Sequence, residues 1–206
     1  KFFRAFFMIY IHIPFCKQKC SYCNFHFSTS LNFKDEMLRA MKTEILLRKN
    51  ELQNKNLKSL YFGGGTPSIL SVDEISSLID EVLKYFSFEK DIEVTLEANP
   101  DDLDKNFLKQ LAGTPVNRLS IGTQSFFEED LKLMNRAHSA SEAESSIKRA
   151  QDFGFENLSI DLIYGSPTSN LEIWKENLNK TIALEVPHIS SYALTVEPKT
   201  ALENWI

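Results

Sequence analysis

Six short runs rich in β-branched and aromatic residues are spaced along the chain, and segments with helical periodicity separate them. Regular alternation of strand and helix predicts βαβ units, which place the strands side by side in a parallel sheet covered by helices. The predicted strands are Met8–Ile13, Lys58–Phe62, Ile92–Leu96, Asn117–Ile121, Asn157–Ile163 and His188–Leu194.

Local signals indicate where several of the intervening helices begin and end. A serine followed three residues later by a glutamate is a capping-box pattern, and it occurs at Ser71, Ser141 and Ser169. Gly154 suits a C-terminal cap ahead of the fifth strand, because glycine adopts the left-handed conformation there without strain. These signals predict three helix starts and one helix end.

The number of units limits the choice of fold. A complete eight-unit barrel needs about 250 residues, whereas this chain has 206. Six units predict an α/β fold, an open three-quarter (β/α)6 TIM-like barrel with parallel strands, and a doubly wound sheet is the alternative. We expect residues 1–7 to be a disordered or artefactual N-terminus and residues 8–206 to form the core domain. Because the pattern stops at Ile206 without a terminator, a C-terminal domain is expected to be missing from this chain.

The composition excludes several classes of protein. A net charge of −5, with acidic and basic residues interleaved, provides no basic stripe for nucleic-acid binding. No apolar run reaches the roughly 20 residues of a transmembrane helix, so no transmembrane segment is expected. An odd number of cysteines, three, and the lack of an export signal disfavour a secreted disulfide scaffold. We therefore expect a cytoplasmic protein with reduced thiols.

Unusual polar and glycine-rich residues follow each of the first five predicted strands. In parallel α/β proteins the carboxyl ends of the strands meet at one edge of the sheet, and functional sites form there. Stability alone does not explain five such groups at one edge, so we expect a site there. The groups are the loop Cys16–Cys23, Gly63–Pro67, Glu97–Pro100, Gly122–Gln124 with Arg136 beyond it, and Asp161–Pro167.

Each group also has a purely structural interpretation. The triple glycine would suit a tight turn as well as close approach of the backbone to a ligand. Glu97 could be a solvated loop carboxylate or an acceptor for ribose hydroxyls, and Arg136 alone resembles a surface arginine. Asp161 interrupts an apolar strand, so it is expected to face inward and to need a partner.

The cysteines lie within eight residues in the pattern C-x3-C-x2-C, formed by Cys16, Cys20 and Cys23. A [4Fe–4S] cluster is normally held by four thiolates, so three would leave one iron open to a small molecule. With His26 as fourth ligand, the loop could instead hold structural zinc in a Cys3His site. A nucleophilic cysteine would need one thiol beside a base rather than three clustered thiols. The pattern favours the open cluster, and a zinc-stabilised binding module is the alternative.

Taken together, these segments resemble the radical S-adenosylmethionine (SAM) proteins, over nearly all of the chain from Tyr10 to about Thr195. More narrowly, they resemble the family of oxygen-independent coproporphyrinogen III oxidases and their paralogues. The segments that carry the resemblance are YIHIPFCKQKCSYCNF, LYFGGGTPS, LEANPDDL, NRLSIGTQSF, LMNRAH and IDLIYGSP.

The resemblance implies a role for particular residues. Cys16, Cys20 and Cys23 would bind a [4Fe–4S] cluster. SAM would be contacted by residues from the strand ends, the cysteine loop and the first strand, namely Tyr10, Tyr22, Gly64, Gly65, Thr66, Glu97, Gln124, Arg136 and Asp161.

Two branches of this family differ at the cysteine motif. The oxidases have a further cysteine two residues after the third cluster cysteine and a long segment ahead of the motif. Here that position is Phe25, and the first cysteine is already residue 16. Both features favour the other branch, the haem chaperones of HemW type. The haem-binding motif of their C-terminal domain, His-Asn-x-x-Tyr-Trp, does not occur in the chain.

The resemblance therefore implies a haem chaperone of the porphyrin pathway that binds a [4Fe–4S] cluster and SAM. Its partners would be haem or porphyrin, haem-receiving respiratory proteins, and an electron donor such as flavodoxin or ferredoxin. Haem binding is expected to need the missing C-terminal part. The enzymatic alternative is an oxygen-independent coproporphyrinogen III oxidase, which decarboxylates two propionates through a 5′-deoxyadenosyl radical.

Overall fold

The computed structural model describes residues 7–205 and contains one sheet of six parallel strands. The strands are β1 (Met8–Ile13), β2 (Asn56–Gly64), β3 (Ser87–Ala98), β4 (Arg118–Gln124), β5 (Asn157–Tyr164) and β6 (His188–Ala193). Their order in the sheet is their order in the chain, and within the described residues β1 and β6 do not pair to close a ring. The predicted open six-unit α/β fold is confirmed. Of the predicted N-terminal segment 1–7, only Phe7 lies within the described residues.

Helices cover one face of this sheet and connect its strands. They are α1 (Lys34–Arg48), α2 (Val72–Leu83), α3 (Lys105–Leu111), α4 (Glu128–Leu133), α5 (Ala140–Asp152) and α6 (Leu171–Ala183). One connected apolar core joins this layer to the sheet, with Ile75 and Leu78 of α2 and Ile147 of α5 among its fully buried side chains. No helix within the described part of the chain is both long and apolar enough to span a membrane.

The two faces of the sheet differ in polarity. Along each strand the side chains alternate, because successive residues point to opposite faces. We call the helix-covered face the outer face; its side chains are apolar and buried, and include Ile11, Ile13, Leu60, Phe62, Val94, Leu96, Leu119, Ile121, Leu158, Ile160 and Leu162. We call the opposite face the inner face; its side chains are largely polar, and include Tyr10, Tyr61, Thr95, Glu97, Ser120, Ser159, Asp161 and His188. Parallel sheets are usually buried on both faces, so a polar inner face points to a use for it.

The predicted helix start at Ser71 is confirmed, but the one at Ser141 is wrong. Ser71 and Glu74 form a complete capping box at the start of α2. At α5 the box is formed two residues earlier, by Ser139 and Glu142. Both serines are followed by glutamate at the required spacing, so the capping pattern alone does not distinguish them.

The predicted cap at Ser169 is also displaced, whereas that at Gly154 lies where expected. Asn170 begins α6 by accepting a hydrogen bond on its side-chain oxygen from Ile173 N at 2.9 Å. An asparagine cap one residue further along satisfies a free N–H group of the first helical turn in the same way, but that of Ile173 rather than that of Glu172. Gly154 follows α5 with a φ of +88°, the left-handed conformation that favours glycine.

Candidate functional site

The loop after β1 carries all three cysteines and is closed at its base by backbone hydrogen bonds. Cys16 N donates to Ser28 O at 3.0 Å, and Ser28 N donates to Pro14 O at 2.9 Å. These bonds close residues 16–27 into a compact loop, which we call the cysteine loop. Its three thiols are free, and all three line one cavity at the carboxyl ends of the strands.

The connection between α4 and α5 holds the cysteine loop from one side. Ser21 donates from its backbone N to Met134 O at 3.1 Å and from its hydroxyl to Leu133 O at 2.6 Å. Asn135, with a left-handed φ of +51°, donates its side-chain Nδ2 to Lys19 O at 2.8 Å. The side-chain bonds join residues that are 112 and 116 positions apart, so the conformation of the loop depends on the folded domain.

A chain of polar contacts connects the same loop to the end of β3. Lys17 forms an ion pair with Asp102, and the Asp102 carboxylate accepts a hydrogen bond from Ser68 Oγ at 2.6 Å. The Ser68 hydroxyl oxygen in turn accepts from Asn99 N at 3.0 Å. Burial raises the pKa of Asp102, while Lys17 and Ser68 act in the opposite direction. These contacts fix Asn99 at the edge of the cavity.

The glycines after β2 allow the backbone to pack directly against the cysteine loop. Thr66 N donates to Phe15 O at 2.7 Å. A Cβ atom on Gly65 would lie 2.6 Å from that carbonyl oxygen and 3.0 Å from Cys16 Sγ, so a side chain does not fit. Gly64 has a φ of +117°, which disfavours other residues. The triple glycine therefore serves close backbone approach rather than a simple turn.

Arg136 joins three parts of the site. Its Nη2 donates to Asn99 Oδ1 at 2.7 Å and to Gly122 O at 2.8 Å, and its Nη1 lies 3.3 Å from Cys20 Sγ. Its Nε atom is buried and has no partner within the described residues. The guanidinium opposes the rise that burial causes in the pKa of the Cys16 thiol. Arg136 is thus an inward-facing cation beside the thiols and not the surface arginine that its position in the sequence suggested.

Two carboxylates face the cavity from the inner face of the sheet. Glu97 accepts hydrogen bonds from Tyr61 OH at 2.8 Å and from Gly64 N at 3.1 Å. Asp161 lies 3.5 Å from the Ser120 hydroxyl. Burial raises the pKa of Glu97, and burial together with the Glu97 charge raises the pKa of Asp161 to about 6. Both carboxylates are placed to accept hydrogen bonds from hydroxyl or amino groups of a ligand.

Gln124 ends β4 in a conformation that a buried polar network supports. Its φ of +64° lies in the left-handed region, which is uncommon for a non-glycine residue. The adjacent Ser125 hydroxyl donates to Asp130 Oδ2 at 2.8 Å, and Asn177 Oδ1 of α6 accepts from Phe126 N at 2.7 Å. Strained conformations persist where the surroundings hold them, and they often mark functional sites.

The cavity has a volume of about 450 Å³ and is lined by most of the residues proposed from the sequence. That size suits a small-molecule site. Tyr10 is the exception: it does not line the cavity but stacks on Tyr61 with ring centroids 5.9 Å apart, on the inner face. The residues brought together are Cys16, Cys20, Tyr22, Cys23, Gly64, Gly65, Thr66, Glu97, Gln124, Arg136 and Asp161.

The cavity also contains residues that sequence reasoning missed. Asn99 was visible as a polar residue after the third strand, but its contact with Arg136 depends on tertiary structure. Tyr192 of β6 and Phe27 of the cysteine loop complete the wall. The available signal was the position of Tyr192 two residues after Ser190 in β6, which places both side chains on one face of the sheet.

The ligand chemistry of the site fits an iron–sulfur cluster. Three free thiols line one cavity, a buried cation lies beside them, and backbone too close for a side chain supports the loop. Among residues 7–205, no three His, Cys, Asp or Glu side chains converge closely enough to hold a single metal ion. His26, which the zinc alternative requires, is exposed. Three thiols that line one cavity are the kind of ligand that an iron–sulfur cluster takes.

Several proteins of known name are similar to this chain over most of its length. The protein named Heme chaperone HemW from Haemophilus influenzae is 37% identical over an alignment of 198 residues, and the match covers 93% of this chain and 52% of the relative. The protein of the same name from Bacillus subtilis is 38% identical over 197 residues, 95% of this chain and 52% of the relative. This chain therefore spans about half the length of these relatives.

Solved structures show the same fold. The coproporphyrinogen III oxidase HemN from Escherichia coli, described as a radical SAM enzyme, superposes with a TM-score of 0.88 at 30% identity. The match covers 98% of this chain and 47% of that structure. The archaeal Elp3 of Methanocaldococcus infernus superposes with a TM-score of 0.68 at 19% identity over 96% of this chain and 48% of that structure, which supports the fold alone.

The model of the Radical SAM superfamily matches residues 10–180, a range that includes the cysteine loop, the glycine segment, both inner-face carboxylates and Arg136. Membership of this superfamily implies a [4Fe–4S] cluster and SAM. The cavity is lined by three thiols and by carboxylates at the strand ends. The chain belongs to the radical SAM superfamily.

Proposed function

We propose that this chain is the cluster- and SAM-binding core, residues 8–206, of a haem chaperone. The observation that carries the first half of the proposal is the single cavity in which three free thiols face Glu97 and Asp161. The choice of chaperone is supported by Phe25 at the position that distinguishes the two branches, and by relatives named Heme chaperone HemW at 37% and 38% identity.

In this proposal Cys16, Cys20 and Cys23 hold the cluster, and the cluster with SAM supplies one-electron chemistry when both are bound. Arg136 places a positive charge beside Cys20, and charge near a ligand sulfur adjusts the properties of the metal group. The cysteine loop, pinned by Ser21, sets the spacing of the thiols.

SAM would lie along the carboxyl ends of the strands. The carboxylates of Glu97 and Asp161 would accept hydrogen bonds from its hydroxyl and amino groups, and Gln124 would contribute a side-chain amide. The glycine backbone and Thr66 line the cavity, and Tyr22, which also lines it, would cover the end that holds the cluster. Tyr10 would act indirectly, since it packs beneath Glu97 through Tyr61.

The cluster assignment is tested by replacing one thiol. Cys20→Ala should lose bound iron and sulfide and the [4Fe–4S] EPR signal, because two thiolates do not hold a cubane stably. His26→Ala is the matched control in the same loop and should keep all three. Loss of one bound zinc in His26→Ala, with negligible iron in the parent protein, would support the zinc-stabilised module instead.

Two measurements on the full-length protein distinguish a haem chaperone from a coproporphyrinogen III oxidase. A haem titration followed at the Soret band should show saturable binding. An anaerobic assay with SAM, a reductant and coproporphyrinogen III should show no steady formation of protoporphyrinogen. Steady product formation would establish the alternative, an oxygen-independent coproporphyrinogen III oxidase, which the structural similarity to HemN at 30% identity keeps in consideration.

The partners follow from the same proposal. Haem or porphyrin would be the cargo, respiratory proteins would receive it, and a flavodoxin or ferredoxin would reduce the cluster. The free thiols suit a reducing compartment, which supports a location in the cytoplasm.

A further inference from the structure

The end of β4 contains one extra residue at the point where the strand reaches the cavity. Ile121 pairs with Ile160 of β5 and Gln124 pairs with Leu162, so β4 advances by three residues where β5 advances by two. Such β-bulges change the direction of side chains, and they are frequent next to functional sites. Gln124 is the last residue of β4 and lines the cavity, so its direction there depends on the bulge.

The bulge ends in a strained turn around Gln124. Ser125 N donates to Thr123 O at 2.8 Å, which closes a three-residue γ-turn. Gln124 is its central residue and has a φ of +64°, and the γ-turn with positive φ is the rare and strained form. A Cβ atom on Gly122 would lie 3.1 Å from Gln124 Nε2, so the side-chain amide lies over this glycine. The position of the amide therefore depends on a backbone conformation that is unfavourable by itself.

His138 binds the carbonyl group that closes this turn. Its ring Nε2 lies 3.0 Å from Thr123 O. Because a carbonyl oxygen only accepts hydrogen bonds, Nε2 carries a proton and donates it. Burial and the charge of Arg136 lower the pKa of His138 to about 4, so the ring is neutral near pH 7. His138 is buried and lies outside the residues that line the cavity, so any influence on a ligand passes through Thr123 and Gln124.

The short segment that carries His138 is itself fixed in place. Arg136 N donates to Leu131 O at 2.9 Å, and Ser139, directly after His138, begins the capping box of α5. From this segment Arg136 Nη2 donates to Gly122 O, and His138 donates to the next carbonyl along the chain. Two side chains of one segment thus hold two successive carbonyl groups of the bulge.

Stability alone does not explain a histidine at this position. A buried polar atom without a partner costs free energy. In the part of the chain that the structure describes, His138 Nδ1 and Thr123 Oγ1 are two such atoms. An apolar side chain in place of His138 would not bring this cost, and Thr123 O would keep its bond from Ser125 N. The histidine is understandable if the turn has to be held more firmly than folding requires.

We propose that His138 is a positioning residue for SAM binding: by donating to Thr123 O, it holds the strained turn that directs the Gln124 amide into the cavity. This inference rests on the proposed function, because that function supplies SAM as the ligand. It extends the residues on which the site depends to one that does not line the cavity.

Two amide substitutions test the proposal in the full-length protein with its cluster reconstituted, by calorimetric titration with SAM in the absence of a reductant. His138→Gln places an amide N–H at the ε position of the side chain, where it can replace Nε2–H, and should bind SAM as the parent does. His138→Asn has its amide at the δ position and does not reach Thr123 O. It should bind SAM about tenfold more weakly, as expected when a residue that orients a binding group is lost. Iron and sulfide content should be unchanged in both.

A double-mutant cycle shows whether His138 acts through Gln124. Gln124→Ala should weaken SAM binding, and adding His138→Asn to it should cause no further loss, because the residue being positioned is already absent. Ile147→Val is the control for general destabilisation. It removes a methyl group from a fully buried side chain of α5 outside the cavity, and should lower stability without changing SAM affinity.

Three results would overturn the proposal. They are a His138→Asn variant that binds SAM like the parent, a His138→Gln variant that binds it as weakly as His138→Asn, and independent, additive losses in the cycle. His138→Met fills a similar volume without a donor and carries the same expectation as His138→Asn, so it takes the place of that variant if His138→Asn does not fold.

Failure here is distinguishable from failure of the proposed function. If the parent protein holds the cluster and binds SAM but the cycle is additive, His138 has no positioning role and the proposed function stands. If the parent protein with its cluster binds no SAM, the proposed function and the role of His138 are both excluded.

Discussion

Successive side chains along each strand point in turn to the outer and the inner face of the sheet, and the two faces have different roles. On the outer face Phe62 and Leu96 are fully buried against the helices and contribute to one continuous apolar core. On the inner face Tyr61 and Glu97, their neighbours in the chain, join a polar hydrogen-bonded surface that leads to the thiols. Because adjacent strand residues point to opposite faces, stability and ligand binding reside in different side chains of the same strands.

Because different side chains are responsible, a substitution can alter stability without altering ligand binding, and the reverse. Burial of a large apolar side chain contributes stability wherever it occurs along the outer face. A buried carboxylate instead costs stability unless its charge is compensated. The inner face therefore retains groups that weaken the fold, which is understandable if they serve a ligand.

The largest expected effect is a loss of stability on the outer face of β3, and the neighbouring residue on the inner face provides the comparison. Leu96→Ala should lower the free energy of unfolding by about 3 kcal/mol, since it removes a fully buried leucine and leaves a cavity. SAM affinity of the folded variant should be unchanged. Urea denaturation and calorimetric SAM titration measure the two quantities.

Glu97→Gln is the matched change on the inner face. It should alter unfolding free energy by less than about 1 kcal/mol but weaken SAM binding about tenfold, because a charged acceptor is lost. The separation of the faces would be refuted if Leu96→Ala weakened SAM binding as much as Glu97→Gln.

An intermediate effect, dependent on pH, is expected at Asp161. Its pKa is about 6 in the folded chain and about 3.9 when unfolded. Above pH 6 the folded state carries a half-buried charge, so Asp161→Asn should stabilise the protein by about 2 kcal/mol at pH 7.5. As the pH falls from 6 to 4, the parent takes up this proton in the folded state first and gains stability. The advantage of the variant should vanish near pH 4.

Urea denaturation at pH 7.5, 6, 5 and 4 measures this effect. Asp91→Asn, at an exposed position of β3, controls for a general loss of negative charge. A variant that is equally destabilised at every pH would show that Asp161 stabilises the inner face rather than straining it.

The smallest effect is expected in the helical layer behind the outer face. Ser139→Ala should cost about 1 kcal/mol, because the hydroxyl caps α5. Ser141→Ala should change stability by less than about 0.5 kcal/mol, and neither substitution should alter the cluster spectrum. Thermal unfolding followed by circular dichroism measures the two stability losses. A larger loss for Ser141→Ala than for Ser139→Ala would instead support the cap at Ser141 that the sequence predicted.

Periodicity predicted the number and order of the strands, but not all of their extents. The bounds of β1, Met8–Ile13, are confirmed, since alternating apolar residues define both ends. β3 begins at Ser87 rather than Ile92, because Phe88 pairs with Leu57 across a register shift although the intervening residues are charged. Pairing with a neighbouring strand overrides local polarity, and no single segment reveals it.

The candidate site was predictable where its residues follow strands directly. The position of a residue at the carboxyl end of a predicted strand was enough to point to the cysteines, the glycines, Glu97 and Asp161. It undervalued Arg136, whose direction is set by Asn99 and the carbonyl of Gly122. It gave no hint of Asp130, which lies in the network next to Gln124. Such contacts join positions far apart in the chain, and their formation depends on the completed sheet.

The cysteine loop has a consequence for the order of events during synthesis. Its thiols leave the ribosome before the partners that shape the loop, because Met134 and Leu202 follow Ser21 by 113 and 181 residues. Until then the three thiols belong to a flexible segment with no defined spacing. If these thiols hold the proposed cluster, we therefore expect iron and sulfide to be loaded after the domain has folded, and a nascent chain interrupted before β6 would present the thiols without their final geometry.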